Sequence, residues 1–413
     1  MRVIHTSDWH LGARLHEQER LTEHRQFLTE LVAIVEREGA EALLVAGDIF
    51  DTRQPSASAQ ALYFDFLAEM AKRTACRKII VTAGNHDSAS QLSAARPVLS
   101  RLGIEVVANA SAEVTGEVIV VPRADGQPGV AVAAVPFMSE GELANLARQH
   151  GQAVEGELRE RAAAGFRAHY AAVIAAAREA GAGAPVVAMG HCTVAGALLS
   201  DERSERGRAI GGVEAQLASA FAGADYVALG HLHIAQSVGG VETMRYSGAP
   251  LAMSFAEAAQ PKQVLVVDFG ERAGDPVAVR AVELAAPLPL WTLSGTAEAV
   301  QAALSALVAE HGAEVGYVAA RVTEGEGELL AFWPALDALV EGSALKLLLK
   351  EDLRPQVRLR SALMEGGTGR TLREMTPLEV AKMRLAEETT LSEAERERYG
   401  KMVEEVIAEE VAQ

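Results

Sequence analysis

The sequence predicts a layered α/β domain followed by a small α+β module and a helical tail. Three observations predict it. Short Val- and Ile-rich runs bounded by Gly, Asp or Pro alternate with longer amphipathic stretches through the first two-thirds of the chain. A Gly-, Pro- and Ala-rich passage at 270–289 interrupts that alternation. Beyond residue 371 the strand signals give way to helix starts.

Residues 3–6, 42–46, 78–82, 130–135, 186–189 and 226–229 read as strands, because each is short and apolar and ends at a breaker. Residues 21–37 and 57–73 read as helices, with Leu28, Leu31, Val32 and Val35 on one face. The Ala- and Glu-rich passage 140–180 is one long helix or two. After a strand at 264–269 and the boundary passage, a strand is expected at 290–293, a helix at 297–311 and a strand at 318–323. A short helix at 336–341 and a strand at 345–349 complete that module. The expected domains are therefore 1–275, 287–360 and a tail at 371–413. In the tail, Thr376-Pro377-Leu378-Glu379 is a capping box with Pro at the first helical position. Tyr399, Met402, Val403, Val406 and Ile407 line one face of its last helix. That face packs on its own domain or docks on another protein's helices.

Composition narrows the class. The 413 residues are 49% hydrophobic and 23% charged, as in a soluble globular protein with a sizeable core. A formal charge of -18 argues against attachment to nucleic acid through overall basicity. Two cysteines, Cys76 and Cys192, exclude a disulfide framework and argue against a Cys-based zinc site. The start MRVIHTSDWH carries no signal-peptide pattern, and no apolar run is long enough to span a bilayer. A cytoplasmic protein is expected.

Five short motifs follow predicted strands. They are Asp8-Trp9-His10, Gly47-Asp48-Ile49-Phe50-Asp51, Gly84-Asn85-His86-Asp87, Gly190-His191 and Gly230-His231-Leu232-His233. Ligands of α/β sheets gather at the carboxyl ends of strands, so these motifs converge on one place. Alone, each motif is readily a turn or a pair of satisfied histidines; their conjunction specifies a metal site. Carboxylates, an amide and imidazoles form an oxygen and nitrogen set suited to Mn²⁺, Fe or Zn rather than Ca²⁺. Seven such ligands suit two ions roughly 3.5–4 Å apart, the usual apparatus for cleaving phosphate esters. One carboxylate must lie between them, and Asp48 is the candidate. His5, His16, His24, His150, His169 and His311 read as surface or core residues.

The ordered motif set resembles the calcineurin-like metallophosphoesterase superfamily. The stretches 200–212 (SDERSERGRAIGG), 224–233 (ADYVALGHLH) and 245–257 (RYSGAPLAMSFAE) narrow the resemblance to SbcD, the bacterial nuclease-subunit family. It is strong over 1–270 and looser beyond. The resemblance implies a metallophosphoesterase β-sandwich flanked by helices, then a capping domain and the helical tail. It assigns Asp8, His10, Asp48 and His233 to a first metal and Asp48, Asn85, His191 and His231 to a second. It makes His86 the general acid or transition-state stabiliser, with Asp87 orienting its ring. Archaeal and eukaryotic relatives carry a second catalytic histidine where this chain has Asp51, which leaves the role of that position open. It implies Mn²⁺ as cofactor, DNA ends and hairpins as substrate, and 3′ to 5′ exonuclease and endonuclease activities. It also implies a homodimer joined to two copies of the ATPase SbcC on the tail helices, in the nucleoid-associated cytoplasm. No Gly-x-x-x-x-Gly-Lys-[Ser/Thr] loop is present, so ATP chemistry belongs to that partner. Arg203, Arg206 and Arg208, and Lys346 and Lys350 with Arg354, Arg358 and Arg360, are solvated surface or contacts to a phosphate backbone. The motifs alone leave open a small-molecule phosphodiesterase, a phosphoprotein phosphatase or, more remotely, a non-catalytic binding scaffold.

Overall fold

Successive side chains of a strand point to opposite faces, and here both faces of the N-terminal strands are apolar. The computed structural model describes residues 1–152, 156–198, 218–285, 288–355, 357 and 398–402. They fall into two units, Met1–Leu288 and Pro289–Gln413. In the first unit, Arg2–Thr6, Ala42–Ala46, Lys78–Thr82 and Ile104–Val107 pair in parallel. Gln263–Asp268 and Ala278–Glu283 extend that sheet antiparallel on the other side of Arg2–Thr6. A second six-stranded sheet runs in the order Gln236–Val238, Val241–Tyr246, Tyr226–Gly230, Val186–His191, Pro128–Ala134, Val118–Pro122.

The alternation sorts these strands into layers. Val3, Leu44 and Ile80 meet Val132, Val187, Met189 and Tyr226 in a core between the two sheets. On the outer face of the first sheet, Ile4, Leu43, Val45 and Val81 pack on Phe27, Leu31 and Phe66 of the helices Leu21–Glu38 and Ala57–Arg73. On the outer face of the second, Ala131, Val186 and Ala188 pack on Phe166, Tyr170 and Val173 of the helix Leu158–Gly181. The result is a mixed α/β sandwich of two sheets between helices. Each fully buried Val, Leu or Phe contributes roughly 1.5–3 kcal/mol. His5 joins the sheets: its ring nitrogens lie 2.9 Å from the Tyr226 hydroxyl and 3.2 Å from the Leu229 carbonyl oxygen.

Local signals set the helix ends. Gly39 closes the first helix in the left-handed region, and the Ser56 hydroxyl caps the second by accepting from the Ala59 amide. The passage 140–180 is two helices, Glu140–Gln149 and Leu158–Gly181; a Ser139/Glu142 capping box starts the former. Seven strands among the described residues had no expectation: Arg14–Leu15, Gln18–Glu19, Ile104–Val107, Val118–Pro122, Gln236–Val238, Val241–Tyr246 and Ala278–Glu283. The last lies within the passage read as a boundary, so the first unit runs on past residue 275.

In the second unit three parallel strands, Leu290–Gly295, Gly316–Val322 and Leu345–Asp352, are connected through the helices Ala297–His311 and Phe332–Val340. Val300, Leu304, Val318, Ala320, Leu336 and Leu345 form its buried core. The 200–212 stretch with Arg203, Arg206 and Arg208, the capping box at 376–379, and Arg358, Arg360, Val403, Val406 and Ile407 lie outside the described residues. Among the described residues, no helix is long and apolar enough to cross a membrane.

Candidate metal centre

Each motif leaves the carboxyl end of a strand of the first unit. Asp8 and His10 follow Arg2–Thr6, Asp48 follows Ala42–Ala46, and Asn85, His86 and Asp87 follow Lys78–Thr82. His191 ends Val186–His191, and His231 and His233 follow Tyr226–Gly230. The turns are sharp: Asp8, His10, Asp48 and His231 all have positive φ, at 54°, 45°, 51° and 98°. Non-glycine residues rarely adopt this region, and such strain collects at functional sites. Gly84 shows why the backbone must come close, because a Cβ there would strike the Asp48 carboxylate.

Three sets of side chains bring donor atoms within 4.8 Å of one another: Asp8, His10 and His233; Asp8, Asp48 and His191; and His10, Asp51 and His86. Asp48 Oδ2 lies 3.3 Å from His191 Nε2 and 3.6 Å from His10 Nε2. His10 Nε2 lies 3.2 Å from His233 Nε2. Asn85 Oδ1 lies 3.1 Å from His191 Nε2 and 3.0 Å from His231 Nδ1. All seven expected ligands therefore stand in one cluster, with Asp48 between the His10 side and the His191 side.

The donor set fits divalent cations. Asp48 Oδ2 is buried and makes no hydrogen bond, an omission that calls for an explanation in a folded protein. His191 Nδ1 is satisfied by the Ala46 carbonyl oxygen at 2.9 Å, which directs Nε2 at the same place. Facing nitrogens and a bare carboxylate oxygen repel one another unless protons or cations sit among them. The charges reflect this. Burial pushes the Asp48 carboxyl up, but the surrounding imidazoles, His191 first, outweigh it and hold Asp48 well below the usual range. Burial raises Asp8.

The second layer ties the motif loops together: the Asp87 carboxylate accepts from the amides of Gly84, Ile49 and Phe50. Burial and the nearby Asp48 charge push Asp87 up to about 6. The His86 ring is held at Nδ1 by the Asp51 carbonyl oxygen, 2.7 Å away, and the His86 amide donates to Asp48 Oδ1. Asp51 thus serves His86 through its backbone, while its carboxylate lies 3.5 Å from His10 Nδ1. Glu257 escaped the sequence reading. It is buried and stands 3.2 Å from His233 Nδ1. Burial raises its carboxyl, but the hydrogen bond and charge of His233 and the charge of Lys262 bring it down to about 2.

Beside the cluster, a cavity of about 760 Å³ is lined by Arg53, Asn85, Asp87, Ser90, Asn109 and Phe137, among others. Of the predicted DNA contacts, Lys346 and Lys350 lie on the strand Leu345–Asp352 of the second unit. Lys350 pairs there with Asp337 at 2.6 Å. His5, His24 and His169 are buried; His169 pairs with Glu117 at 2.9 Å.

Strand-end carboxylates, imidazoles and an amide between two sheets define a phosphoesterase of the calcineurin-like class, a hydrolase of phosphate esters. The family model described as calcineurin-like phosphoesterase matches residues 1–235. A second, described as type 5 capsule protein repressor C-terminal domain (SbcD_C), matches 286–389. The chain is 32% identical over 399 residues to the SbcD protein of the nuclease SbcCD from Escherichia coli K12, covering 96% of both proteins. It is 36% identical over 370 residues to the same-named protein of Rhodobacter capsulatus, covering 86% of this chain and 88% of that one. With the Bacillus subtilis protein it shares 37% over 279 residues, or 65% of this chain and 66% of the relative. The chain belongs to this SbcD family of metallophosphoesterases.

Proposed function

We propose that this chain is a metal-dependent DNA nuclease subunit that acts with an SbcC ATPase. The observation that carries the reading is the buried Asp48 Oδ2, without a hydrogen bond and between two imidazole nitrogens. In this reading Asp8, His10, Asp48 and His233 would hold one cation, and Asp48, Asn85, His191 and His231 a second. Two divalent cations bound there, for which Mn²⁺ is our assignment, would supply Lewis acidity to activate water and offset charge on the phosphate.

The chain's own residues do the rest. The cavity beside Asn85 receives the nucleic acid strand. His86, fixed at Nδ1 by the Asp51 carbonyl, delivers a proton from Nε2 to the departing sugar oxygen. Asp87 keeps the Asp48 and Asn85 loops in register through its three amide contacts. The further parts of the reading rest on the family likeness. They are 3′ to 5′ exonuclease action on duplex ends, endonuclease action on single strands and hairpins, and assembly as a homodimer with two SbcC chains. The tail at 371–413 is the proposed docking element for the SbcC coiled coil, 287–360 the capping domain, and Arg203, Arg206, Arg208, Lys346 and Lys350 the proposed backbone contacts.

The test is cleavage of end-labelled duplex DNA with Mn²⁺, with bis-p-nitrophenyl phosphate in parallel, alone and with the SbcC partner. Wild type should cleave DNA, and His86→Ala should lose roughly 10²–10⁴-fold in rate. Hydrolysis of the small ester with no DNA cleavage even beside the partner would replace the nuclease by a small-molecule phosphodiesterase.

A further inference from the structure

The cluster's imidazoles are held from behind in different ways. His191 Nδ1 and His86 Nδ1 meet the backbone carbonyl oxygens of Ala46 and Asp51. His10 Nδ1 makes no hydrogen bond, and the Asp51 carboxylate lies 3.5 Å from it. His233 Nδ1 stands closer to a carboxylate, Glu257 Oε1, at 3.2 Å and within hydrogen-bond reach.

Glu257 is 1% exposed, on the short turn Phe255–Glu257 that lies 24 residues beyond His233. Its second oxygen is held by two donors, the Met253 amide at 3.2 Å and Lys262 Nζ at 3.1 Å. Lys262 is itself mostly buried, and its carbonyl oxygen accepts from the Leu284 amide. The carboxylate is thus clamped on one side and offers its other oxygen to the imidazole. A purely structural Glu–Lys pair does not require that alignment.

We infer that Glu257, backed by Lys262, is a positioning residue that fixes the proton of His233 on Nδ1 and turns the Nε2 lone pair toward Asp8 and His10. This rests on the reading of the cluster as a metal centre. A carboxylate partner also makes the imidazole a stronger donor than a carbonyl partner does. The ion held by Asp8, His10, Asp48 and His233 therefore depends on Glu257, and the ion held by Asp48, Asn85, His191 and His231 does not.

The experiment is a Mn²⁺ titration of the full chain, with free ion followed by electron paramagnetic resonance. The variant is Glu257→Met with Lys262→Met, which removes both charges together and leaves no buried ion unpaired. Glu257→Gln is the conservative companion, which keeps an acceptor but loses the charge. Wild type should bind two ions. The double variant should weaken one of them by roughly 10–100-fold and leave the other unchanged, with Glu257→Gln between. In the metal-free protein, ¹⁵N-histidine spectra should show His233 protonated at Nδ1 in wild type and shifted toward Nε2 in the double variant. Two ions bound as in wild type by a folded double variant, or equal weakening of both, would overturn the inference while leaving the metal centre standing. No bound ion in wild type would remove the metal centre, and the inference with it.

Discussion

The two units bury different things. In Met1–Leu288 the interior holds Asp8, His10, Asp48, Asp87, His191, His233 and Glu257 beside its aliphatic core. In Pro289–Gln413 the buried described residues are apolar: Val300, Leu304, Tyr317, Val318, Ala319, Ala320, Val322, Leu336 and Leu345. Its charges pair in more exposed positions, as in Arg321 with Glu351 and Lys350 with Asp337. A buried charge costs several kcal/mol unless it is paired, so the first unit gives up stability to hold its cluster and the second does not. The difference teaches where the candidate chemistry sits: the unit that holds the metal-centre cluster keeps ionisable groups out of water, and the described core of the other is apolar.

That comparison can be broken. If the second unit rests on its small core, Leu336→Ala should cost about 2–5 kcal/mol in denaturant unfolding, because Leu336 is fully buried at the centre of the cluster. A loss under about 1 kcal/mol would mean the unit is held by something else. It can also be sharpened by acid. Burial lowers His5 from 6.5 to about 3, so the fold keeps it neutral where the unfolded chain would be charged. Below pH 6.5 the unfolded state therefore binds the extra proton, and stability falls with falling pH until about pH 3. The slope is up to roughly 1.4 kcal/mol per pH unit. His5→Phe should flatten the dependence of unfolding free energy on pH between about 6.5 and about 4 by close to one proton; an unchanged slope would show that His5 is not the group responsible.

Much of the first unit was legible because its parallel strands are buried on both faces. Residues 42–46 and 79–81 read as unbroken apolar runs that stop at Gly47 and near Gly84. Ala278–Glu283 was missed because its residues are half-exposed or exposed at a sheet edge and share a passage with Gly and Pro. The clustering of the seven candidate ligands was legible for a related reason: strand ends announce where side chains gather. What supports them was not. Asp87 acts on peptide N–H groups, which no side-chain motif encodes. Asp51 acts on His86 through its carbonyl oxygen, which any residue supplies. Glu257 reaches His233 across a turn, and only the tertiary fold brings them within 3.2 Å.

In the proposed metal centre Asp48 stands between two cations. The direct measurement is the number of Mn²⁺ ions bound per chain by wild type and by Asp48→Asn, counted after equilibrium dialysis, with circular dichroism to verify the fold. The account predicts two ions in wild type and at most one tightly held ion in Asp48→Asn. One ion or none in wild type, or two held at unchanged affinity by a folded Asp48→Asn, would contradict it.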